Sequence, residues 1–386
     1  MKCEYFGACA SCTLYDMTYD EQFLLKTSQE KEHFKELFKG EFQSFSSQDE
    51  AFRVRAEFRI WRNFARNNPN EDKKEDDGKE TKLLNLSYAM SGFDKEKILI
   101  KSCEIVIKPI KILMSKLLKE LKKYEVLHKK LFAIEFLSSL EGDILVTLIY
   151  HKKLDSFWEE KAKILQNDLD IKILGRSKGQ RIVLENDFIR QTLEVDKKTY
   201  SFFYKEGGFV QPNQEVNKKM LTWVLKNANL EGDLCELYCG AGNFSIILSK
   251  YFDKILASEI SKTSIKNAKQ NCEENDIKNI NFLRMSSEEF VQAYYKTRDF
   301  TRLKNIDLNS YNFSTIFLDP PRSGLDKASK KLAQNFKQII YISCNPKSLH
   351  EDLVFLSRSH KIIAFAFFDQ FAYTKHLECG VILKKI

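Results

Sequence analysis

Glycine and proline are scarce in this chain, 14 and 6 among 386 residues, and no internal repeat is visible, so collagenous and low-complexity classes are excluded. Nine cysteines in a chain of this length are too sparse for a disulfide scaffold. In a reducing compartment they read as core residues, metal ligands or a nucleophile. Long apolar runs are missing too. Nothing approaches the roughly 18 uninterrupted apolar residues of a membrane span, and the longest candidates, such as 144–150, suit a strand. The opening Met-Lys-Cys-Glu-Tyr-Phe-Gly carries charge but no apolar h-region, so a secretory signal is not expected and a cytoplasmic location is. Acidic residues fall short of basic ones, 54 against 62, for a formal charge of +8. That mild excess says only that an anionic partner would be welcome. What is plentiful is core material: 43% hydrophobic residues exclude global disorder, and the length suggests two or three domains.

From residue 233 onward, short apolar runs alternate with amphipathic stretches. Strands are expected at 233–238, 254–259, 279–285, 315–319 and 338–343, interleaved with helices at 243–251, 261–276, 286–295, 327–336 and 346–359. Two last strands are expected at 361–368 and 380–384. This alternation predicts βαβ units and a mostly parallel, doubly wound α/β domain. Right-handed crossovers then place the strands' C-terminal ends, where ligands sit, on one edge. The first 200 residues differ. Helices at 20–38, 107–124 and 157–169 mix with strands at 52–62, 132–136 and 143–151. Residues 65–82 are rich in Asn, Asp, Glu and Lys without apolar periodicity, and read as a flexible insert between two strands of a hairpin. The expected division is an α+β domain over 1–200 and an α/β domain over 201–386.

Four segments carry chemistry. Cys239-Gly240-Ala241-Gly242-Asn243-Phe244 follows the first strand of the α/β domain and opens a helix, where small residues let a ligand approach backbone N–H groups. Glu259 ends the next strand and is either an acceptor for ribose hydroxyls or a solvated strand end. The absence of a GxGxxG or P-loop pattern counts against NAD and ATP. Asp319-Pro320-Pro321-Arg322 ends a later strand, and its prolines hold the chain extended so that Asp319 is presented into the crevice. Arg322 reads as a phosphate or enolate ligand, or as a surface salt bridge. Ser343-Cys344-Asn345-Pro346 leaves a thiol at the sheet's carboxyl edge near a helix N-terminus. That thiol is a nucleophile or else a buried cysteine. Glu378, in Lys375-His376-Leu377-Glu378-Cys379-Gly380, is a base or a capping residue. Cys235, Cys272 and Cys379 read as core thiols.

In this order, the Asp319–Arg322, Ser343–Pro346 and His376–Gly380 segments resemble the RNA uracil-C5 methyltransferases, a family that uses S-adenosylmethionine. The pairing of the Cys344 segment with a late glutamate separates them from amino methyltransferases with a related Asp-Pro-Pro motif. Residues 55–61, 148–155, 209–213 and 368–374 extend the likeness to the tRNA branch, so that it runs from about residue 20 to the end. The resemblance implies a class I, Rossmann-like methyltransferase domain behind an N-terminal α+β RNA-binding domain. It implies that the Cys344 thiolate adds to C6 of uracil, that the resulting enolate takes the methyl group at C5, and that Glu378 then removes the C5 proton. Gln211, Tyr238, Asn243, Glu259 and Asp319 are implied to line the cofactor pocket. The implied substrate is the T-loop of tRNA at position 54, or another structured RNA with a T-loop-like fold, with the target base out of its stack. Arg53, Arg55, Phe58, Arg59 and Trp61 then contact RNA by charge and stacking, or else form a half-buried strand with basic outward residues.

Cys3, Cys9 and Cys12 give a C-x5-C-x2-C layout, with Cys103 alone further on. The layout resembles the cluster-binding cysteines of the ribosomal-RNA branch and implies a [4Fe–4S] cluster. Zinc, which also accepts four thiolates, and incidental free thiols are the alternatives. With these cysteines, 23S ribosomal RNA stands as an alternative substrate, and an RNA-binding or tRNA-folding protein with secondary methylation as an alternative function. No segment reads as an obligate dimer seam, so a monomer without membrane contact is expected.

Overall fold

A computed structural model describes residues 1–65 and 83–386, so the polar insert read at 65–82 lies, apart from its first residue, outside the described residues. The chain forms two compact units, 1–16 with 53–189 and 17–52 with 190–386. Residues 17–52 and 190–200, which the sequence pattern assigns to the N-terminal domain, therefore belong to the second unit. The reason is packing. Helix α1 (Tyr19–Phe34) places Phe34 against Phe365 and Phe367, and β1 (Phe42–Phe45) pairs in parallel with residues 365–368. Among the described residues, no helix is long and apolar enough to cross a membrane.

The first unit holds β2 (Arg55–Ala65), β3 (Leu83–Ser91), β4 (Lys97–Ile100), α2 (Lys108–Leu121), α3 (Glu125–His128), β5 (Leu131–Ser138), β6 (Ile144–Tyr150), α4 (Ser156–Leu169), β7 (Lys172–Ser177) and β8 (Gln180–Val183). Its seven strands form one sheet in the order β4-β3-β2-β5-β6-β7-β8. β2 and β3 are antiparallel from Arg59↔Ala89 to Ala65↔Leu83, so the insert does join the arms of a hairpin. In α2, Ile110, Leu113, Met114, Leu117 and Leu121 are buried, the helical spacing of a core-facing stripe.

The second unit continues with β9 (Phe188–Val195), β10 (Lys198–Lys205), α5 (Gln214–Asn227), β11 (Asp233–Leu237), α6 (Asn243–Leu248), β12 (Ile255–Ser258), α7 (Lys262–Glu274), β13 (Ile280–Leu283) and α8 (Ser287–Tyr294). It ends with β14 (Phe313–Leu318), α9 (Lys327–Ala333), β15 (Gln338–Ser343), α10 (Pro346–Leu356), β16 (His360–Phe368) and β17 (Glu378–Lys385). β9 and β10 pair with each other, and the other strands form an eight-stranded sheet in the order β1-β16-β17-β15-β14-β11-β12-β13. The pairings are parallel except those of β17, which runs antiparallel to β15 and β16. The strands read as continuous apolar runs because helices cover both faces of such a sheet; all five residues of β11 and all six of β15 are buried.

Register decides where function collects. Leu237 stands opposite Ser258 and Leu318, and Leu318 opposite Tyr341. The residues that follow these strand ends therefore emerge along one edge. Since β17 runs the other way, its beginning rather than its end lies on that edge: Cys379 faces Ser343, and Glu378 faces Phe368.

Candidate active site

At the end of β11 the backbone turns through three left-handed residues, Tyr238 at φ 63°, Gly240 at 55° and Gly242 at 86°, before α6 begins. Glycine is at home in this conformation, whereas tyrosine is strained there. No atom lies within 4 Å of the place a Cβ on Gly240 would take, so the turn opens onto free space. Glu259, half-buried at the end of β12, closes the other side. Its carboxylate accepts from the Gly240 N–H at 3.2 Å and the Ser261 N–H at 2.7 Å, and retains acceptor capacity for hydroxyl donors. Asn243 and the fully buried Asn217 exchange two side-chain hydrogen bonds of 2.9 Å each. Gln211 is buried just before Asn213, the N-cap of α5, and its carbonyl accepts from Gln214 at 2.8 Å. The Tyr238 side chain is half-buried against the hydrophobic core, near Ser287 and Ser329 on α8 and α9.

One strand over, acids and a thiol crowd together. Asp319 follows β14, and withdrawal from water raises its carboxyl to about 7. Glu378 is 4% exposed; burial and the nearby Asp319 push its carboxyl well above the usual range, with Arg322 opposing them. Cys344 follows β15. Burial, then Glu378 and Asp319, raise its thiol, while the nearby Arg322 guanidinium opposes the rise and favours the thiolate. Glu236, inside β11, is lifted to about 8 by burial, against the pull of a hydrogen bond from Ser245 and with Asp319 adding to the rise.

The two motifs that bring Arg322 and Cys344 together are bonded to each other. Asn345 caps α10 and donates through Nδ2 to the Arg322 carbonyl at 2.7 Å, and the Ser348 hydroxyl donates to the same carbonyl at 3.1 Å. Cys344 opens into a cleft of about 570 Å³. Glu30 and His33 of α1 line it, together with Arg322, Lys347, Lys375 and His376. The cleft thus presents three cations, Arg322, Lys347 and Lys375, and one acid, Glu30, around the thiol.

The sequence-predicted residues therefore gather in two adjoining places. Asn243 and Glu259 flank the open turn, Gln211 is linked to Asn243 through Gln214 and Asn217, and Asp319 and Glu378 lie near the Cys344 thiol. Sequence reasoning missed Asn217, Glu236 and the contribution of α1. Glu236, an acid flanked by Cys235 and Leu237 within β11, offered a signal of its own; helix α1, about 300 positions from Cys344 in sequence, offered none.

In the first unit the expectations fare less evenly. Phe58, read as a base-stacking residue, is 2% exposed and packs edge-on against Tyr88 and Phe136, so it is core. Arg55 is paired with Glu135 at 2.8 Å, whereas Arg59 and Trp61 face outward. Cys3, Cys9, Cys12 and Cys103 lie in this unit and influence one another's ionisation. Yet among the described residues no three His, Cys, Asp or Glu side chains form a group that could hold a metal ion. The expected [4Fe–4S] cluster, and zinc as its alternative, therefore find no support among the described residues.

Comparison with known proteins adds a third line. The family described as tRNA (Uracil-5-)-methyltransferase matches residues 18–386. The tRNA/tmRNA (uracil-C(5))-methyltransferase of Aliarcobacter butzleri is 54% identical over 387 residues, and that of Sulfurovum sp. 44% identical over 389, each covering 100% of both chains. In fold, the chain resembles the tRNA (uracil-54, C5)-methyltransferase of Pyrococcus abyssi, solved with S-adenosyl-L-homocysteine. The TM-score is 0.69 at 18% identity, over 97% of this chain and 86% of that one.

The thiol's setting has a direct readout. Alkylation of Cys344 by iodoacetamide, followed by mass spectrometry, is expected to rise with pH through a midpoint above that of free cysteine. Arg322→Gln is expected to move that midpoint further up, because a cation that favours the thiolate is lost. A midpoint at or below the free value would contradict the described environment.

Proposed function

The chain belongs to the tRNA (uracil-5-)-methyltransferase family, and from that premise we propose that it methylates C5 of the uridine at position 54 in the tRNA T-loop, using S-adenosylmethionine. The observation that carries this reading is the register of β15, β16 and β17, which sets a nucleophile and a carboxyl side by side from positions 344 and 378. C5 of uracil is a poor nucleophile. Addition of the Cys344 thiolate to C6 forms a C–S bond and moves the C5=C6 electron pair into an enolate, whose C5 can then attack a methyl group. Arg322, the cation near the thiol, supports both the thiolate and the enolate. Glu378 takes the C5 proton, and the released pair restores C5=C6 and expels the thiolate of Cys344.

S-adenosylmethionine, when bound, supplies the methyl group on a positively charged sulfur. The residues present suit it. The open turn at Gly240 admits an adenosyl group, Glu259 is set to accept from ribose hydroxyls, and the carboxyls of Asp319, Glu236 and Glu378 favour a cation. The first unit, with Arg59 and Trp61 outward, serves as the RNA-binding domain, and a base leaving its stack reaches the cleft at Cys344. The names of the relatives extend the candidate substrates to tmRNA. The N-terminal cysteines, without a metal geometry, lend no support to 23S ribosomal RNA as the substrate.

Two outcomes follow. Cys344→Ala is expected to lose turnover and adduct together. Glu378→Gln is expected to slow product release by about 10²–10⁴-fold, the usual share of a general base, while a methylated protein–RNA adduct accumulates on denaturing gels. Full turnover by either variant would remove the role assigned to it. Calorimetry across pH 6–8 supplies the second. Asp319 ionises near pH 7, so the preference for S-adenosylmethionine over the uncharged sulfide S-adenosylhomocysteine is expected to grow as pH rises. A ratio flat with pH would contradict the charge argument.

A further inference from the structure

Helix α1 belongs to the second unit although the chain leaves it for the first unit and later returns. Tyr19, Gln22 and Lys26 recur at i, i+3 and i+7 and so share one face. All three reach the loop between β16 and β17. The Tyr19 hydroxyl donates to Asp369 Oδ2 at 3.0 Å, Lys26 Nζ donates to Asp369 Oδ1 at 2.6 Å, and Gln22 Oε1 accepts from the Tyr373 N–H at 2.6 Å. Lys26 Nζ also reaches the carbonyls of Phe371 and His376, at 3.4 Å each. An ammonium has three donors, and here they draw the two ends of loop 369–376 toward one atom. Glu378 follows two residues later.

The same loop is tied to the other half of the site. The Asp369 N–H donates to the Phe45 carbonyl at 3.0 Å, and Gln370 Oε1 accepts from the Asn213 N–H at 3.1 Å. Asn213 Nδ2 donates to the Ser47 hydroxyl at 2.7 Å, and the Ser47 N–H donates to Tyr19. Asn213 caps α5 two residues beyond Gln211.

The Lys26–Asp369 pair is 3% and 0% exposed. Buried pairs add little net stability, since desolvation offsets attraction, so the consequence to look for is geometric. We propose that Lys26 and Asp369 are positioning residues for the general base: their clasp fixes where β17 begins and hence where Glu378 stands relative to Cys344. This rests on the roles proposed for those two residues. The clasp governs the last step, in which the C5–H bond breaks, the proton passes to Glu378 and the C–S bond opens. Cys344 is fixed separately, through Asn345 and Ser348 on the Arg322 carbonyl.

The test is Lys26→Met combined with Asp369→Asn, which removes both charges and leaves neither buried alone. Wild type and Glu378→Gln serve as references, and Tyr19→Phe as a milder variant. With tRNA and methyl-labelled S-adenosylmethionine, the double variant is expected to keep its KM for the cofactor and to lose up to about 100-fold in kcat, the scale of an ångström misplacement. It should also accumulate methylated adduct as Glu378→Gln does. A structural role alone would lower adduct and product together, in proportion to the folded fraction, and that result would overturn the proposal. Should the double variant fail to fold, Tyr19→Phe must still raise the adduct-to-product ratio; an unchanged ratio would overturn it equally. Absence of adduct in Glu378→Gln would instead sink the underlying assignment of the base.

Discussion

Withdrawal of acids and a thiol from water at one sheet edge is the constraint on which the site depends. Burial first raises the proton affinity of Glu236, Glu378 and the half-buried Cys344, the Asp319 carboxyl adds to the rise at each, and Arg322 is the cation that opposes it at Glu378 and Cys344. Such crowding of acids is unfavourable in isolation, because like charges in a low-dielectric site hold their protons. It becomes favourable when a cation arrives.

The fold makes this crowding possible by one reversal. In a wholly parallel sheet the last strand would deliver its end to the active edge. β17 runs antiparallel and delivers its beginning, so Glu378 stands beside Phe368 and next to the Cys379–Ser343 pair without a further crossover. Packing is tight where this occurs. A Cβ on Gly380 would meet Trp223 at 2.7 Å and Phe368 at 3.0 Å, so helix α5 lies directly against the strand that bears Glu378. Helix α1 completes the arrangement from the far end of the chain, lining the cleft with Glu30 and His33 and clasping the loop that precedes Glu378.

Much of this was legible in the sequence because it is local. Alternating apolar runs and amphipathic stretches located the strands of the second unit, with boundaries shifted by a few residues, and the motifs at Asp319, Cys344 and Glu378 sit at strand ends where polarity changes abruptly. What was not legible is what depends on distant partners. Nothing in residues 17–52 announces that they pack on β16, since an amphipathic helix does not say which core it covers. Phe58 reads as an exposed aromatic in a basic strand until its neighbours Tyr88 and Phe136 are known. The spacing of Cys3, Cys9 and Cys12 suggests a ligand set, but a complete set also needs Cys103, far along the chain, and spacing does not say where that side chain falls.

The most direct test of the central claim is transfer of labelled methyl from S-adenosylmethionine to unmodified tRNA, beside a tRNA whose T-loop uridine is replaced by cytidine and beside 23S ribosomal RNA fragments. Label in the first alone, recovered as 5-methyluridine, is the predicted result. Label confined to ribosomal RNA, or label in tRNA that survives the cytidine replacement, would contradict it.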